Sequence, residues 1–289
     1  MPVTPDPAAL AALVTRLRAA GCVFAEDEAA LLLAEVPDPA ALDLMVARRV
    51  AGEPLEQVVG WAEFRGLRIG VEPGVFVPRA RTGLLVREAV RALGSRAAGA
   101  ASGREPRVRG RTGTTGDGPV VVDLCCGTGA VGLAVAAEHP GVALWAVDLD
   151  PAAVACARRN AAALGPADAT VLLGDLDAPL PAALAGRVDV LVANAPYVPT
   201  AEIAHMPTEA RDHEPRSALD GGADGVDLHH RVAAAAPRWL APGGHLLIET
   251  SVHQAGATAA ACEGQGLAVR VVHDDDLDGT VVVATSRAR

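Results

Sequence analysis

The apolar positions at the start of the chain follow the period of an α-helix. Leu10, Leu13 and Leu17 repeat at steps of three and four residues, and this spacing recurs up to about residue 50. Residues 59–78 instead alternate apolar and polar positions around glycines, which is typical of a β-hairpin. The pattern therefore predicts a helical N-terminal domain over residues 1–58 and a hairpin linker over residues 59–78.

From Pro119 onward, short apolar runs alternate with stretches of helical spacing. Strands that alternate with helices imply a mostly parallel sheet covered on both faces, so we predict an α/β domain over residues 79–289. Ligands of such sheets bind beyond the carboxyl ends of the strands. The predicted strands are residues 120–124, 142–147, 170–173, 188–193, 245–249, 268–272 and 280–284.

Residues 94–118 differ in composition from the chain on either side. They are rich in Gly, Ala, Ser, Thr and Arg and contain almost no large apolar residue, so we predict a flexible insertion in the α/β domain. A solvated loop is the first interpretation of such a run. Contact with ribosomal RNA is the alternative, because the segment is locally basic and contains Arg104, Arg107, Arg109 and Arg111.

Composition and charge narrow the class of partner. The chain has a formal net charge of −10 and no lysine, and a global negative field repels phosphate. A protein or small-molecule partner is therefore favoured over nucleic acid. The five cysteines form no CxxC pair and no Cys/His cluster with zinc-ligand spacing, so we expect reduced thiols, no metal and a cytoplasmic location. We expect neither a signal peptide nor membrane association.

A glycine-rich turn follows the first predicted strand of the sheet and precedes its first helix. Gly127, Gly129 and Gly132 match the GxGxxG pattern, which alone also fits nicotinamide cofactors or a simple tight turn. Cys125 and Cys126 lie in the same turn, where small side chains let a ligand approach. Because no neighbouring residue looks like a histidine base, neither cysteine is expected to be a nucleophile.

Three acidic residues, one after each of three successive strands, indicate the ligand of this turn more specifically than the glycines do. Asp123 precedes the glycines, where a carboxylate would repel a pyrophosphate but attract a cofactor with an amino group and a sulfonium. Asp148 can accept hydrogen bonds from ribose hydroxyls, and Asp175 is expected at the adenine edge. Together they indicate S-adenosylmethionine rather than a nicotinamide cofactor.

The tetrapeptide Asn-Ala-Pro-Tyr follows the fourth predicted strand, and such a peptide alone is often only a turn. An amide or exocyclic amine nitrogen is a poor nucleophile that gains positive charge as it attacks a methyl group. Two acceptors aimed at its hydrogens favour that transition state. The Asn194 side-chain oxygen and the Ala195 carbonyl can be those acceptors. Pro196 stiffens the loop, and Tyr197 offers a flat face to the substrate.

The chain resembles the release-factor glutamine methyltransferases, the HemK/PrmC group, whose motif is Asn-Pro-Pro-Tyr. The likeness covers nearly the whole chain after the first helices. Before the sheet it includes Arg49–Pro54, Gly60–Phe64 and Val77–Arg79. Glu214–Gly225 resembles the family's segment after the catalytic loop, and Gly243–Glu249 resembles its next strand. These stretches are specific to the family, whereas the glycine turn and the catalytic motif occur in many methyltransferases.

The resemblance implies a seven-stranded, Rossmann-like sheet of the class I S-adenosylmethionine-dependent methyltransferases, with its last strand antiparallel, and an N-terminal domain that helps to dock a protein substrate. The substrate would be the glutamine of a release factor's Gly-Gly-Gln loop or a glutamine of a ribosomal protein, so nucleic acid would be met only indirectly, on the ribosome. The catalytic residues would be Asn194, Ala195, Pro196 and Tyr197. The residues expected to hold the cofactor are Arg79, Asp123, Cys125, Cys126, Gly127, Thr128, Gly129, Asp148, Asp175, Leu176 and Asn194.

Three positions depart from the family pattern. Ala195 stands where the family has Pro, Leu176 where an aromatic often packs near adenine, and Gly83 where the family usually has an acidic residue. With the insertion, they indicate a related branch, so a target other than a release factor stays open. Two other functions also stay open: amino methylation of a nucleic-acid base, and a non-catalytic cofactor-binding protein that docks on the ribosome or on a release factor. The acidic charge opposes the first, and the intact Asn194 and Tyr197 oppose the second.

Overall fold

The computed structural model describes residues 7–36, 38–101 and 118–287. The described N-terminal residues form helices, as their spacing predicts. These helices are α1 (Pro7–Ala19), α2 (Ala25–Glu35), α3 (Pro39–Val50) and α4 (Leu55–Val59). Asp38 caps α3 by accepting a hydrogen bond from the Ala41 amide at 3.0 Å, directly before a proline at the first helical position. The helices enclose a core of their own, which includes Leu13, Leu17, Ala29, Leu32, Val46 and Val58.

A β-hairpin connects these helices to the sheet. Its strands, β1 (Trp61–Phe64) and β2 (Leu67–Gly70), pair antiparallel, which confirms the predicted hairpin. Asn160 fixes the hairpin to the sheet domain, because its Oδ1 accepts from the Gly70 amide and its Nδ2 donates to the Gly70 carbonyl, each at 2.9 Å. Residues 71–79 then run without regular structure towards the edge of the sheet.

The described chain from residue 118 onward contributes a seven-stranded sheet. Its strands are β3 (Val120–Leu124), β4 (Ala143–Asp148), β5 (Thr170–Leu173), β6 (Val188–Ala193), β7 (Leu240–Thr250), β8 (Ala268–Asp274) and β9 (Gly279–Thr285). They lie in the order β5-β4-β3-β6-β7-β9-β8. Neighbours from β5 to β7 are parallel, and β9 runs antiparallel to β7 and β8. The expected seven-stranded, mostly parallel sheet with an antiparallel last strand is therefore confirmed.

Helices cover both faces of this sheet. Alternate strand residues point to opposite faces, so Val121 and Leu247 pack with α5 and α6, whereas Val122 and Leu246 pack with α9. Because both faces are covered, the central strands are predominantly apolar. The helices are α5 (Gly83–Ala101), α6 (Ala130–Glu138), α7 (Pro151–Leu164), α8 (Thr208–His213), α9 (Asp227–Trp239) and α10 (Ala255–Glu263), with single 3₁₀ turns at Ala80–Thr82, Ala182–Leu184, Thr200–His205 and Arg216–Ala218.

Helix α5 is longer than the sequence predicts. The flexible insertion was predicted to begin at Gly94, but α5 continues to Ala101. Alanine has the highest helix propensity, and the alanines between Gly94 and Ala101 outweigh the two glycines there. The prediction is therefore wrong for residues 94–101. The rest of the predicted insertion, residues 102–117 with its arginines, lies outside the described residues.

The strand order creates a crevice at one edge of the sheet. From β3 the chain proceeds to β4 and β5 on one side and then returns to β6 on the other side of β3. The loops that follow β3 and β6 therefore diverge at the carboxyl edge, and ligands of open α/β sheets bind at such a switch point. Within the described ranges, no helix is long and apolar enough to cross a membrane.

Candidate active site

A cavity of about 500 Å³ opens at the carboxyl edge of β3, β4, β5 and β6. Cavities of this size commonly hold small-molecule ligands. Of the residues predicted for the site, Gly129 does not line the cavity; it is the N-cap residue of α6. The structure brings all the others together: the cavity is lined by Arg79, Asp123, Cys125, Cys126, Gly127, Thr128, Asp148, Asp175, Leu176, Asn194, Ala195, Pro196 and Tyr197.

The glycine turn, residues 125–129, is tied to the end of β4 through Asp148. The Gly127 amide donates to Asp148 Oδ2 at 2.7 Å, and the Asp150 amide donates to Oδ1 at 2.9 Å. Burial raises the pKa of Asp148, while these two main-chain donors lower it. Main-chain hydrogen bonds thus hold a carboxylate in a fixed position on the cavity wall.

Asp123 lies deeper than Asp148, with 1% of its surface exposed. Its Oδ2 accepts from the Gly132 amide at 2.9 Å. Burial raises the pKa of Asp123 to about 7, the Gly132 hydrogen bond opposes the rise, and the charge of Asp148 adds to it. Two desolvated acidic groups therefore stand side by side at the glycine turn. A positive charge in the cavity would favour the ionised form of both.

Asp175 and Leu176 follow β5. Asp175 Oδ2 accepts from Arg231 Nη2 at 2.8 Å, and both side chains are about half exposed, so this ion pair is weak. Leu176 is buried although its φ is +47°. Leu149, which follows Asp148, also lines the cavity and is 63% exposed. The two leucines supply apolar surface for a flat ring at positions where no aromatic side chain stands.

The two thiols of the glycine turn are poor nucleophiles. Burial raises the pKa of both Cys125 and Cys126 well above the usual value, and the carboxylates of Asp123 and Asp148 raise it further. The thiolate is the reactive form of cysteine, so protonated thiols contribute little reactivity. Cys126 packs against Ala146 and other small residues behind the turn, which is a structural role.

The Asn194 loop, Asn194–Tyr197, begins where β6 ends. The Asn194 Nδ2 atom donates to Thr82 Oγ1 at 3.4 Å, so the nitrogen end of this amide is turned towards Thr82. The Tyr197 hydroxyl donates to Glu249 Oε1 at 3.4 Å. Burial and the nearby Glu249 carboxylate raise the pKa of Tyr197 to about 12. The phenol is therefore neutral near pH 7.

A segment that precedes α9 packs tightly against the main chain of the Asn194 loop. A Cβ atom on Gly221 would lie 2.7 Å from the Pro196 carbonyl oxygen, and one on Gly225 would lie 2.3 Å from that of Tyr197, so both positions require glycine. Gln254 Nε2 also donates to the Tyr197 carbonyl at 2.7 Å. Contacts from two distant parts of the chain thus fix the main chain of the loop.

Comparison with known proteins identifies the family. The protein-family model of the methyltransferase small domain matches residues 114–212. A release factor glutamine methyltransferase of Mycolicibacterium smegmatis is 37% identical over 269 residues, which cover 91% of this chain and 86% of the relative. One of Cereibacter sphaeroides is 36% identical over 298 residues, which cover 96% of this chain and 97% of the relative. The chain belongs to the release factor glutamine methyltransferase family.

Membership of the release factor glutamine methyltransferase family confirms the resemblance that the motifs indicated, and the sheet has the class I methyltransferase fold. The chain is also similar to a 4-amino-L-phenylalanine/4-methylamino-L-phenylalanine methyltransferase of Streptomyces pristinaespiralis. That relative is 36% identical over 253 residues, which cover 87% of this chain and 80% of the relative. Its name gives a free amino acid with an amino or methylamino group as the substrate of that relative.

Two sets of contacts in the site of this release factor glutamine methyltransferase family member were not predicted from the sequence, although Arg79 itself was. Arg79 donates to the buried Glu214 carboxylate and lies over the Phe76 ring at 5.4 Å. Burial raises the pKa of Glu214, and Arg79 lowers it. Thr82 and Glu249 meet the Asn194 loop from two other elements. The only sequence signal for these contacts was the family-like pattern around Arg79, Glu214 and Glu249, which assigns no partners.

Proposed function

We propose that the protein transfers a methyl group from S-adenosylmethionine to the side-chain amide nitrogen of a glutamine in a protein, with the Gly-Gly-Gln loop of a release factor as substrate. The observation that carries this proposal is that the Asn194 loop and the glycine turn line one cavity. A methyl donor on one side would therefore lie beside an amide acceptor on the other. The relatives named for this activity support glutamine as the acceptor.

The charge of the glycine turn fits S-adenosylmethionine. The largest effects on the pKa values of Asp123 and Asp148 come from burial, main-chain hydrogen bonds and neighbouring carboxylates rather than from a cationic side chain. A cofactor with an ammonium and a sulfonium group would supply the missing positive charge. When bound, it provides an electrophilic methyl group attached to sulfur. Asp148 would hold ribose hydroxyls, Leu149 and Leu176 would contact adenine, and the main chain at Gly127 would lie against the cofactor.

The Asn194 loop suits an amide because it combines acceptors with a neutral aromatic ring. The nitrogen of a carboxamide is weakly nucleophilic, and its two hydrogens become more positive as the new N–C bond forms. Asn194 Oδ1 and the Ala195 carbonyl would accept these hydrogens and favour that change. Ala195 is 1% exposed, so its carbonyl acts away from bulk water. The Tyr197 ring would pack on the planar amide, and one amide proton leaves to water after transfer.

We also propose the division into a docking domain (residues 1–58), a linker (residues 59–78) and a catalytic domain (residues 79–289). The separate core of α1 to α4 supports a distinct N-terminal unit. Val23 and Phe24, between α1 and α2, leave 80% and 68% of their surface exposed, and large exposed apolar side chains are available for protein contacts. A release factor or a ribosomal protein fits this arrangement, and either substrate would be met in the cytoplasm.

The proposal is tested by methyl transfer in vitro. Purified protein, labelled S-adenosylmethionine and an unmethylated release factor are expected to yield label on the glutamine of the Gly-Gly-Gln loop. Asn194→Ala is expected to lower kcat by about 100-fold or more, as the loss of a transition-state acceptor does. The Kd of the cofactor, measured by calorimetry, should change far less than kcat, because the glycine turn and Asp148 supply the other cofactor contacts.

Parallel reactions separate the alternatives. Ribosomal proteins, ribosomal RNA and free 4-amino-L-phenylalanine are offered in place of the release factor. Label on one of these, with none on the release factor, would replace the proposed substrate. Cofactor binding without transfer to any of them would contradict the proposed activity itself.

A further inference from the structure

The Asn194 side chain can accept a hydrogen bond from a substrate amide in only one of two orientations. A carboxamide carries an acceptor oxygen at one end and a donor NH₂ group at the other. If the two ends were exchanged, the NH₂ group would face the NH₂ group of the incoming glutamine. In the structure, Nδ2 is bonded to Thr82 Oγ1, so Oδ1 is the end turned away from Thr82. The orientation of the Asn194 amide therefore depends on whether the Thr82 hydroxyl accepts a hydrogen bond from it or donates one to it.

Thr82 is suited to this task only if its own hydrogen is engaged elsewhere. The residue ends the 3₁₀ turn before α5 and is 2% exposed. Its hydroxyl has one hydrogen to donate and lone pairs that accept. If the hydrogen pointed at Asn194, the amide would turn its oxygen to Thr82 and its nitrogen to the cavity. If the hydrogen points elsewhere, a lone pair faces Asn194 and selects Nδ2.

Glu249 provides the other acceptor. It lies near the end of β7, is 2% exposed, and has Arg81 Nε 3.7 Å and the Tyr197 hydroxyl 3.4 Å from its Oε1. Its buried Oε2 accepts no hydrogen bond from the described residues and is therefore an open acceptor. Burial raises the pKa of Glu249, and the side chain of Thr82 is the strongest opposing influence. An ionised carboxylate only accepts hydrogen bonds, so it directs the Thr82 hydrogen towards itself.

We propose that Thr82 is a positioning residue for methyl transfer, whose hydroxyl, directed by Glu249, keeps the Asn194 side-chain oxygen facing the substrate amide. This inference rests on the proposed function. Glu249 also holds the Tyr197 hydroxyl, so one buried carboxylate orients both ends of the Asn194 loop. Thr82 and Glu249 need not touch the substrate to act in this way.

Magnetic resonance tests the orientation without any substrate. The chain contains two asparagines, Asn160 and Asn194, so ¹⁵N labelling of asparagine gives two pairs of side-chain amide signals. Asn160 is an internal control, because its Nδ2 donates to the Gly70 and Thr128 carbonyls and not to Thr82. In Thr82→Val, which removes the hydroxyl but keeps the shape, the Asn194 signals should shift while those of Asn160 stay. Thr82→Ser should restore the Asn194 signals.

Enzyme kinetics tests whether the orientation of Asn194 affects the rate of methyl transfer. Thr82→Val is expected to lower kcat about tenfold, the effect of one ordinary hydrogen bond, with the cofactor Kd unchanged. Thr82→Ser should stay within about twofold of the parent. The matched control is Thr280→Val, the same change at a threonine of β9 that is 4% exposed and bonded to His273 at 2.9 Å. This control should reproduce any loss of thermal stability but leave kcat unchanged.

An aspartate at position 194 separates orientation from packing. Asn194→Asp presents an oxygen whichever way the group is turned, so Thr82→Val should then change kcat less than about twofold in that background. Equal losses in both backgrounds would mean that Thr82 acts only by packing. Unchanged Asn194 signals in Thr82→Val would also overturn the inference. If that variant does not fold, Thr82→Ala is measured in the same way.

The two proposals fail differently. A parent protein that leaves the release factor unlabelled contradicts the proposed substrate, whereas the Asn194 signals still decide the role of Thr82. A parent protein that labels the release factor, together with a fully active Thr82→Val, contradicts only the role of Thr82.

Discussion

The two sides of the cavity differ in how far apart in sequence their residues lie. On the glycine-turn side, the Gly127–Asp148 contact spans 21 positions and joins the ends of two adjacent strands. On the side of the Asn194 loop, the Asn194–Thr82 contact spans 112 positions and the Tyr197–Glu249 contact 52. A single strand-helix-strand unit can therefore form the first side, whereas the second exists only after the whole domain has folded.

The two sides also differ in charge. The carboxyl groups of Asp123 and Asp148 have raised pKa values, and the largest effects on them are burial, main-chain hydrogen bonds and neighbouring carboxylates. Those of Glu214 and Glu249, behind the Asn194 loop, each lie beside an arginine. One side therefore leaves negative charge for a cationic ligand to neutralise. The other side is already balanced, which suits a neutral amide.

The largest effect is expected from a substitution that displaces the Asn194 loop and leaves the glycine turn intact. In Gly225→Ala, the new Cβ atom would lie 2.3 Å from the Tyr197 carbonyl oxygen, at a residue whose φ is +78°. The loop must move, so we expect kcat for methyl transfer to fall about 100-fold and the free energy of unfolding to fall by about 2 kcal/mol. The cofactor Kd, measured by calorimetry, should change less than about threefold, because the glycine turn is built separately.

The matched control for this change is Gly256→Ala in α10, where no atom of the described residues lies within 4 Å of the added Cβ. Alanine favours a helix over glycine, so this variant should be slightly more stable and fully active. A large loss of cofactor affinity in Gly225→Ala would show that the two sides of the cavity are coupled and do not form separately.

The contacts of the glycine-turn side were easier to predict from the sequence than those of the Asn194 side, because they join residues that lie closer together in the chain. Turn, strand end and carboxylate recur in a short stretch, so their contact follows from the alternation of strands and helices. The position of Asn194 beyond β6 was also predictable from this alternation. Its contact with Thr82 was not, because it depends on where the chain before α5 crosses the sheet. The extension of α5 to Ala101 does not follow from the glycines at positions 94 and 99, because the helix propensity of the neighbouring alanines outweighs them.

The second prediction concerns a substitution that disrupts the glycine-turn side. Asp148→Ala removes the acceptor of the Gly127 amide and the proposed partner of the ribose. Hydrogen bonds to a charged group contribute about 1.5–3 kcal/mol, so the cofactor should bind about 10- to 100-fold more weakly by calorimetry. At saturating cofactor, kcat should fall less than about threefold, since the Asn194 loop is intact. A fall in kcat with unchanged cofactor affinity would reverse the roles of the two sides.

A helix-cap aspartate supplies the control. Asp38→Ala removes the side chain that caps α3, in the N-terminal helices. It should cost about 1 kcal/mol of stability and leave the cofactor Kd unchanged. Any weakening of cofactor binding in this variant would measure the part of the Asp148→Ala effect that comes from general destabilisation.

The smallest expected effect concerns stability rather than transfer, and it tests the unbalanced charge at the glycine turn. Burial raises the pKa of Asp123 to about 7, well above the usual range of an aspartate. An acid with a raised pKa in the folded state stabilises the fold fully below its unfolded pKa. That contribution is lost as pH rises towards 7, where a buried carboxylate becomes charged. Asp123→Asn removes the titration and keeps an oxygen for the Gly132 amide.

Without cofactor, Asp123→Asn should therefore raise the melting temperature relative to the parent by a few degrees more at pH 8 than at pH 5. Differential scanning fluorimetry at the two pH values gives the comparison, and other titrating groups cancel because they are common to both proteins. Added S-adenosylmethionine should reduce the advantage of the variant at pH 8, since its positive charge stabilises the Asp123 carboxylate. An advantage that is equal at both pH values would mean that Asp123 does not titrate in this range, and would contradict the raised pKa of its buried carboxyl.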